Sequence, residues 1–189
     1  MKKMKRLSLI LTGTVLMFVM LLNGCKKDET AVSPPLPGNE FLTTVKLVAT
    51  NATDPSDVQI VWVKQLPGQP VDYSNATLNL KKNSTYHVGV EFLDETTTPA
   101  GNITDDIYAR RNYHLICFVP TGINLTVNRT DLDTNTPPLQ IGLEDDFITG
   151  ATGTGSLNVQ LRHQPNAKNG DCAPGSTDAD VDFSVNIIN

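Results

Sequence analysis

Val181-Asp182-Phe183-Ser184-Val185-Asn186-Ile187, residues 181–187, alternates apolar and polar side chains without a break. Successive side chains of a strand point to opposite faces, so this pattern describes a half-buried β-strand and not a helix of 3.6-residue period. Working back along the chain, the same period recurs in Leu157, Val159 and Leu161, in Ile123, Leu125 and Val127, and in Tyr86, Val88, Val90 and Phe92. Shorter inward faces lie at 45–49 and 78–80. Two runs, Ile60-Val61-Trp62-Val63 and Leu115-Ile116-Cys117-Phe118-Val119, are apolar on both faces. They are expected to be central strands covered on both sides, with Trp62 in the core. Turn chemistry separates the runs at Pro67-Gly68, Pro99-Ala100-Gly101, Pro137-Pro138 and from Gly170 to Gly175. The expected fold is all-β: a single antiparallel β-sandwich, immunoglobulin-like or small-barrel-like. It has at most one short helix near 104–112, with Asp105 and Asp106 near the helix start. One domain over 41–189, about 150 residues, is long enough to bury its own core.

The polar residues offer little catalytic chemistry. His114 and Cys117 have a metal-pair spacing for a helix, but three apart on a strand they face opposite ways and cannot hold one ion. His87 has outward parity, whereas His163 continues the inward parity of Leu157, Val159 and Leu161. No Gly-x-Ser-x-Gly elbow is present. Gly150-Ala151-Thr152-Gly153-Thr154-Gly155-Ser156 lacks the lysine and following helix of a phosphate loop, and reads as a β-turn. Asp131-Leu132-Asp133-Thr134-Asn135 begins like a calcium loop, with alternate oxygen ligands, but Thr136 and Gly142 break the EF-hand pattern. A looser calcium site on Asp131, Asp133 and Asn135, recruiting Glu144, Asp145 or Asp146, competes with a polar turn bonded to its own backbone. Asp178, Asp180 and Asp182 form a second acidic row, to be relieved either by a cation or, the preferred reading, by Arg162 and Lys168 across the hairpin. No catalytic residue is assigned, and the chain is not read as an enzyme.

The N-terminus carries an address. Lys2, Lys3, Lys5 and Arg6 precede an apolar run at 7–22, the n- and h-regions of a secretory signal. Leu22-Asn23-Gly24-Cys25 resembles the lipobox of bacterial lipoproteins. That resemblance implies cleavage before Cys25 and a diacylated Cys25 as the mature first residue. Two acyl chains, at ~0.8 kcal/mol per buried CH₂, suffice for stable membrane attachment. The whole chain has fifteen basic and twenty acidic residues; the leader at 1–24 takes four of the basic ones, leaving a net charge of −9 beyond it. Such a surface repels nucleic acid, which is excluded as a partner. Residues 25–40, with Pro34, Pro35, Pro37 and Gly38, read as an extended tether.

Export to an oxidising compartment bears on the other two cysteines. Cys117 and Cys172 are an even pair that is either bridged or left as two thiols, because sequence does not reveal their separation.

Lys26-Lys27-Asp28-Glu29 resembles the export signal that sends lipoproteins of Bacteroidota-type bacteria to the outer face of the outer membrane. Asp131-Leu132-Asp133, Thr149-Gly150, Arg162-His163-Gln164-Pro165 and 177–183 are similar to small outer-membrane lipoproteins of the same bacteria. The resemblance implies a companion of TonB-dependent receptors and names no functional residue. The expected function is a membrane-anchored binding or accessory module for a receptor or a small nutrient, facing the cell surface. A cell-surface hydrolase using His163 and a structural envelope protein are the alternatives. Aromatic residues make up 6% of the chain, which argues against an aromatic platform for sugars. The partner-facing surface is expected on the loops at 131–142, 149–156 and 164–177.

Overall fold

The computed structural model describes residues 41–189; the leader, Cys25 and the tether lie outside the described residues. Two sheets pack face to face around one apolar core, making the expected all-β sandwich. The first sheet runs β2 (Val58–Lys64), β1 (Thr44–Asn51), β4 (Thr85–Asp94), β8 (Glu144–Thr149) and β7 (Leu125–Arg129), with the two-residue β5 (Gly101–Asn102) on β4. The second runs β3 (Thr77–Lys81), β10 (Ser176–Ile188), β9 (Gly153–His163) and β6 (His114–Thr121). Every pairing is antiparallel except β3 with β10, which is parallel. The inward rows are those of the alternating runs. Val45, Leu47, Val88, Val90, Phe92 and Phe147 meet Leu78, Leu80, Ile116, Leu157, Val159, Leu161, Phe183 and Val185. Each such side chain contributes about 1.5–3 kcal/mol when taken fully out of water.

The helix α1 (Ile103–Ala109) falls where it is expected, with Asp105 and Asp106 in its first turn. Asn102 caps it by accepting from the Asp105 N–H, and the acidic pair complements the positive end of the helix dipole. Among the described residues no helix is long and apolar enough to cross a membrane.

Both runs that are apolar on two faces turn out to be edge strands, correcting the expectation of central ones. β2 buries Val61 and Val63, while Ile60 is 53% exposed. Trp62 is half-buried on the outer face, with the Lys64 ammonium over its ring. What covers these strands is loop. The Trp62 N–H bonds the Asn75 carbonyl, and Asn75 donates to the Ile60 carbonyl. Along β6, Ile141 accepts from the Ile116 N–H and Arg129 donates to the Ile116 carbonyl, at 2.7 Å each. An unprotected edge would expose these groups to pairing with other chains.

Tyr86 fixes the opposite end of the sandwich. Fully buried, it donates to Asp57 at 2.8 Å and accepts from the Lys81 N–H at 2.9 Å. Tyr86→Phe removes the acceptor of the Lys81 N–H and the donor to the Asp57 carboxylate, and is expected to lower unfolding free energy by about 1–3 kcal/mol. Urea denaturation measures the change; a loss near zero contradicts the assigned network.

Candidate functional site

The end of the sandwich where β6 begins gathers most of the unusual chemistry. Cys117 points out of β6 and is bridged to Cys172, with the Cα atoms 6.0 Å apart, so the 164–175 loop is tied across the outer face of that strand. On the chain-entropy account, a closed loop of this length stabilises by about 4 kcal/mol. Gln164, fully buried, organises the loop: its side-chain amide donates to the carbonyls of Asp171 and Pro174, and its backbone carbonyl accepts from the Ala167 and Lys168 N–H groups.

Lys168 then crosses to the second loop, at 131–143. Its ammonium lies 2.8 Å from Asp133 Oδ2 and donates to the Arg111 carbonyl at 2.9 Å; the two side chains are 2% and 0% exposed. Asp133 also accepts from the Asn135 and Leu139 N–H groups and from the Asn135 amide. Burial would raise the Asp133 pKa, but these bonds and the ammonium together hold it below the usual carboxylate range. Burial lowers the Lys168 pKa, with Asp133 opposing. Asp131 serves a different turn, accepting from Gly142 and Leu143. Asp131 and Asp133 thus serve separate turns, with Lys168 as the cation beside Asp133 and N–H donors on the oxygens of both carboxylates. Lys168 and Arg162 do not bond Asp180 or Asp182 of the acidic row. Asp180 and Asp182 are bridged by the Asn158 amide, with Gln160 adding to Asp180. Arg162 bonds Thr177 and the carbonyls of Ala173, Pro174 and Gly175.

Asp145 faces inward on β8, directly across from Arg129 on β7. Neither of its oxygens has a hydrogen-bond partner. Burial first, then the neighbouring Asp131 charge, push its pKa up to about 8 against the pull of Arg129.

A third group is brought together only by strand register. His114 opens β6 and stands opposite His163, the last residue of β9, with the rings stacked at a centroid distance of 5.0 Å. His114 is fully buried, and its Nδ1 lies 3.2 Å from the Arg110 carbonyl at the end of α1. That contact puts the proton on Nδ1 and leaves Nε2 as a bare lone pair. Nε2 has no hydrogen-bond partner and lies 3.8 Å from Asp178 Oδ2. Burial, then His163 and Arg110, lower the His114 pKa to about 4, so the ring is neutral at physiological pH. Asp178 sits in a β-bulge: Thr177 pairs with Arg162 and Ala179 with Leu161, leaving Asp178 as the extra residue. Bulges re-aim a side chain. Gly175 makes the approach of β10 feasible, since φ is +80° and a Cβ would collide with the His163 carbonyl. Among the described residues, His114, His163 and Asp178 are three whose ligand atoms converge, all within 4.8 Å of one another.

His114 and Cys117 do face opposite ways, as their spacing requires; the partner that sequence reading missed is His163, three strands of sequence away. His87 is exposed and bonded to Asp146. Of the three loops expected to face a partner, 131–142 and 164–177 lie together against β6. The third, 149–156, starts β9 at the other end, where Gly153 pairs with Ile187. The chain matches no known protein family, no curated protein and no solved structure.

Two outcomes test the electrostatics. Lys168→Met strands a buried carboxylate and is expected to cost about 3–5 kcal/mol, more than the Lys168→Met, Asp133→Leu pair, in a double-mutant cycle read by denaturation. Asp145 holds a proton in the folded state that the unfolded chain releases near pH 4. Its contribution to stability therefore falls as pH rises from about 4 to about 8, then stays level. Asp145→Asn removes that loss, so the melting-temperature difference between variant and wild type should widen in the variant's favour across this window. A constant difference contradicts the assignment.

Proposed function

We propose that this chain is a lipid-anchored outer-membrane lipoprotein whose β-sandwich serves as a binding or accessory module for a receptor protein or a small nutrient. The observation that carries the reading is Cys25 at the end of a basic-then-apolar leader, in the setting Leu22-Asn23-Gly24-Cys25. The tether supports it: sixteen residues at ~3.1 Å each in an extended form reach about 50 Å, enough to hold a domain clear of lipid headgroups. The net charge of −9 beyond the leader favours a partner with basic groups and disfavours anionic lipid as the surface recognised. The two loops fixed against β6 also favour recognition over catalysis. A binding surface gains from being ordered before the partner arrives, because less conformational entropy is lost on association.

Cys25→Ala is expected to abolish acylation and leave the protein unprocessed or released from the membrane fraction. Membrane retention with normal processing contradicts the anchor. Cross-linking in intact envelopes, followed by affinity purification of the wild-type protein, should recover an outer-membrane receptor. Consistent recovery of the protein alone, at native abundance, contradicts the accessory role.

A further inference from the structure

We propose that His114, His163 and Asp178 form a binding site for a divalent transition-metal ion, with zinc the best match to the donor set. The inference is independent of the lipoprotein reading and rests on three observations at the junction of β6, β9 and β10.

The first is the convergence itself. Two imidazoles and one carboxylate, from three neighbouring strands, bring their ligand atoms within 4.8 Å of one another. Zinc takes His nitrogen and carboxylate oxygen at about 2.0–2.2 Å, and three protein ligands with an open fourth position are a common arrangement for it. Calcium and magnesium prefer all-oxygen sites, so a donor set with two nitrogens disfavours them. His163 and Asp178 are both half-buried and can close the remaining distance by side-chain rotation.

The second is the orphan lone pair. His114 Nε2 is wholly buried, has no hydrogen-bond partner and is directed at the Asp178 carboxylate 3.8 Å away. A buried histidine kept for structure normally bonds through both nitrogens, since leaving one unmade is costly. Here the other nitrogen is anchored to a backbone carbonyl, Nδ1 to Arg110 at 3.2 Å. That second contact is the one metal-ligating histidines usually make, because it fixes the tautomer and the ring orientation.

The third is the bulge. A regular strand through 176–188 would pair every residue with β9, yet the register slips at Asp178 alone. The slip is held by Arg162, which grips Thr177 and three carbonyls of the preceding loop, and by the disulfide that fixes that loop. The chain thus holds the carboxylate in place from both sides. The charges of His163 and Arg110 oppose a positive charge on His114, while the Asp178 carboxylate stands 3.8 Å from its Nε2. Asp178 also lines a cavity of about 210 Å³ with Leu42, Val63, Tyr73 and Val181, which the two histidines do not line.

The test uses the untagged full-length protein, purified in detergent with its disulfide intact. Calorimetric titration with Zn²⁺ should show one ion per chain, and Co²⁺ should give the visible absorption of a low-coordinate site. His163→Gln and Asp178→Asn carry the test, because these side chains are half-buried and the variants are expected to keep the wild-type circular dichroism. Each should weaken Zn²⁺ binding by at least the roughly tenfold loss seen even for outer-shell partners. His87→Gln, at the exposed pair with Asp146, should leave it unchanged. No saturable binding by the wild type, or equal affinity in His163→Gln and Asp178→Asn, would overturn the proposal, as would loss of binding in His87→Gln.

Discussion

Lys168 and Asp133 bring an ammonium and a carboxylate together at 2.8 Å between two segments that have no regular structure of their own. Burying either charge alone costs several kcal/mol, so the pair persists only where the remaining donors and lone pairs are also filled. They are filled here by the Arg111 carbonyl on one side and by the Asn135 and Leu139 groups on the other. This geometry lets the 131–143 segment lie along β6 and present the Ile141 carbonyl to the Ile116 N–H. The same contact presses the 164–175 loop over the outer face, where the Cys117–Cys172 bridge also holds it. Without that cover, Leu115 and Cys117 would be apolar side chains on a bare edge strand. The fully buried Leu115 shows how complete the cover is.

Strand periodicity was legible because it depends on one face meeting the core, and the alternating runs at 86–92, 157–161 and 181–187 all became strands with the expected faces inward. Position within the sheet was not. An apolar outer face looks the same whether a second layer or a loop covers it, so β2 and β6 read as central although both are edges. β8 escaped notice because it opens with Glu144-Asp145-Asp146, residues that strands disfavour, and its inward position is occupied by a carboxylate. Parallel pairing of β3 with β10 leaves no local mark either, as the two are nearly a hundred residues apart in sequence. At the candidate metal site the residue types were visible, but the register setting His114 opposite His163 and the bulge at Asp178 are properties of pairing, not of composition.

The calcium-like run shows how one sequence pattern can serve two chemistries. Alternating Asp and Asn oxygens suit a hard cation, and they suit equally a loop that must bond its own N–H groups. The choice is made by what approaches from elsewhere in the chain. Lys168, 35 residues beyond Asp133, supplies a positive charge that can bond only in fixed directions. That lets the chain's own residue hold the loop's shape at Asp133.

The buried side-chain polar atoms without a partner belong, among the described residues, to His114, Asp145, Arg162 and Gln164. Three of the four, His114, Arg162 and Gln164, lie on β6, β9 and the loop that follows β9, while Asp145 lies on β8 between Val88 of β4 and Arg129 of β7. A sequence that satisfies its polar groups nearly everywhere has no packing reason to leave several unmade at one end. Violations of that kind tend to gather where function constrains the residue and the rest of the fold carries the cost. Gln164 and Arg162 spend their other donors on the loop that leads into the bulge, and the bulge sets Asp178 against the bare Nε2 of His114. The disulfide, the ion pair and the arginine clasp thus act on one short stretch of backbone, and the group that stretch positions is a carboxylate facing a lone pair. A divalent cation bound there, as proposed above, would take the Nε2 lone pair and a carboxylate oxygen together as ligands.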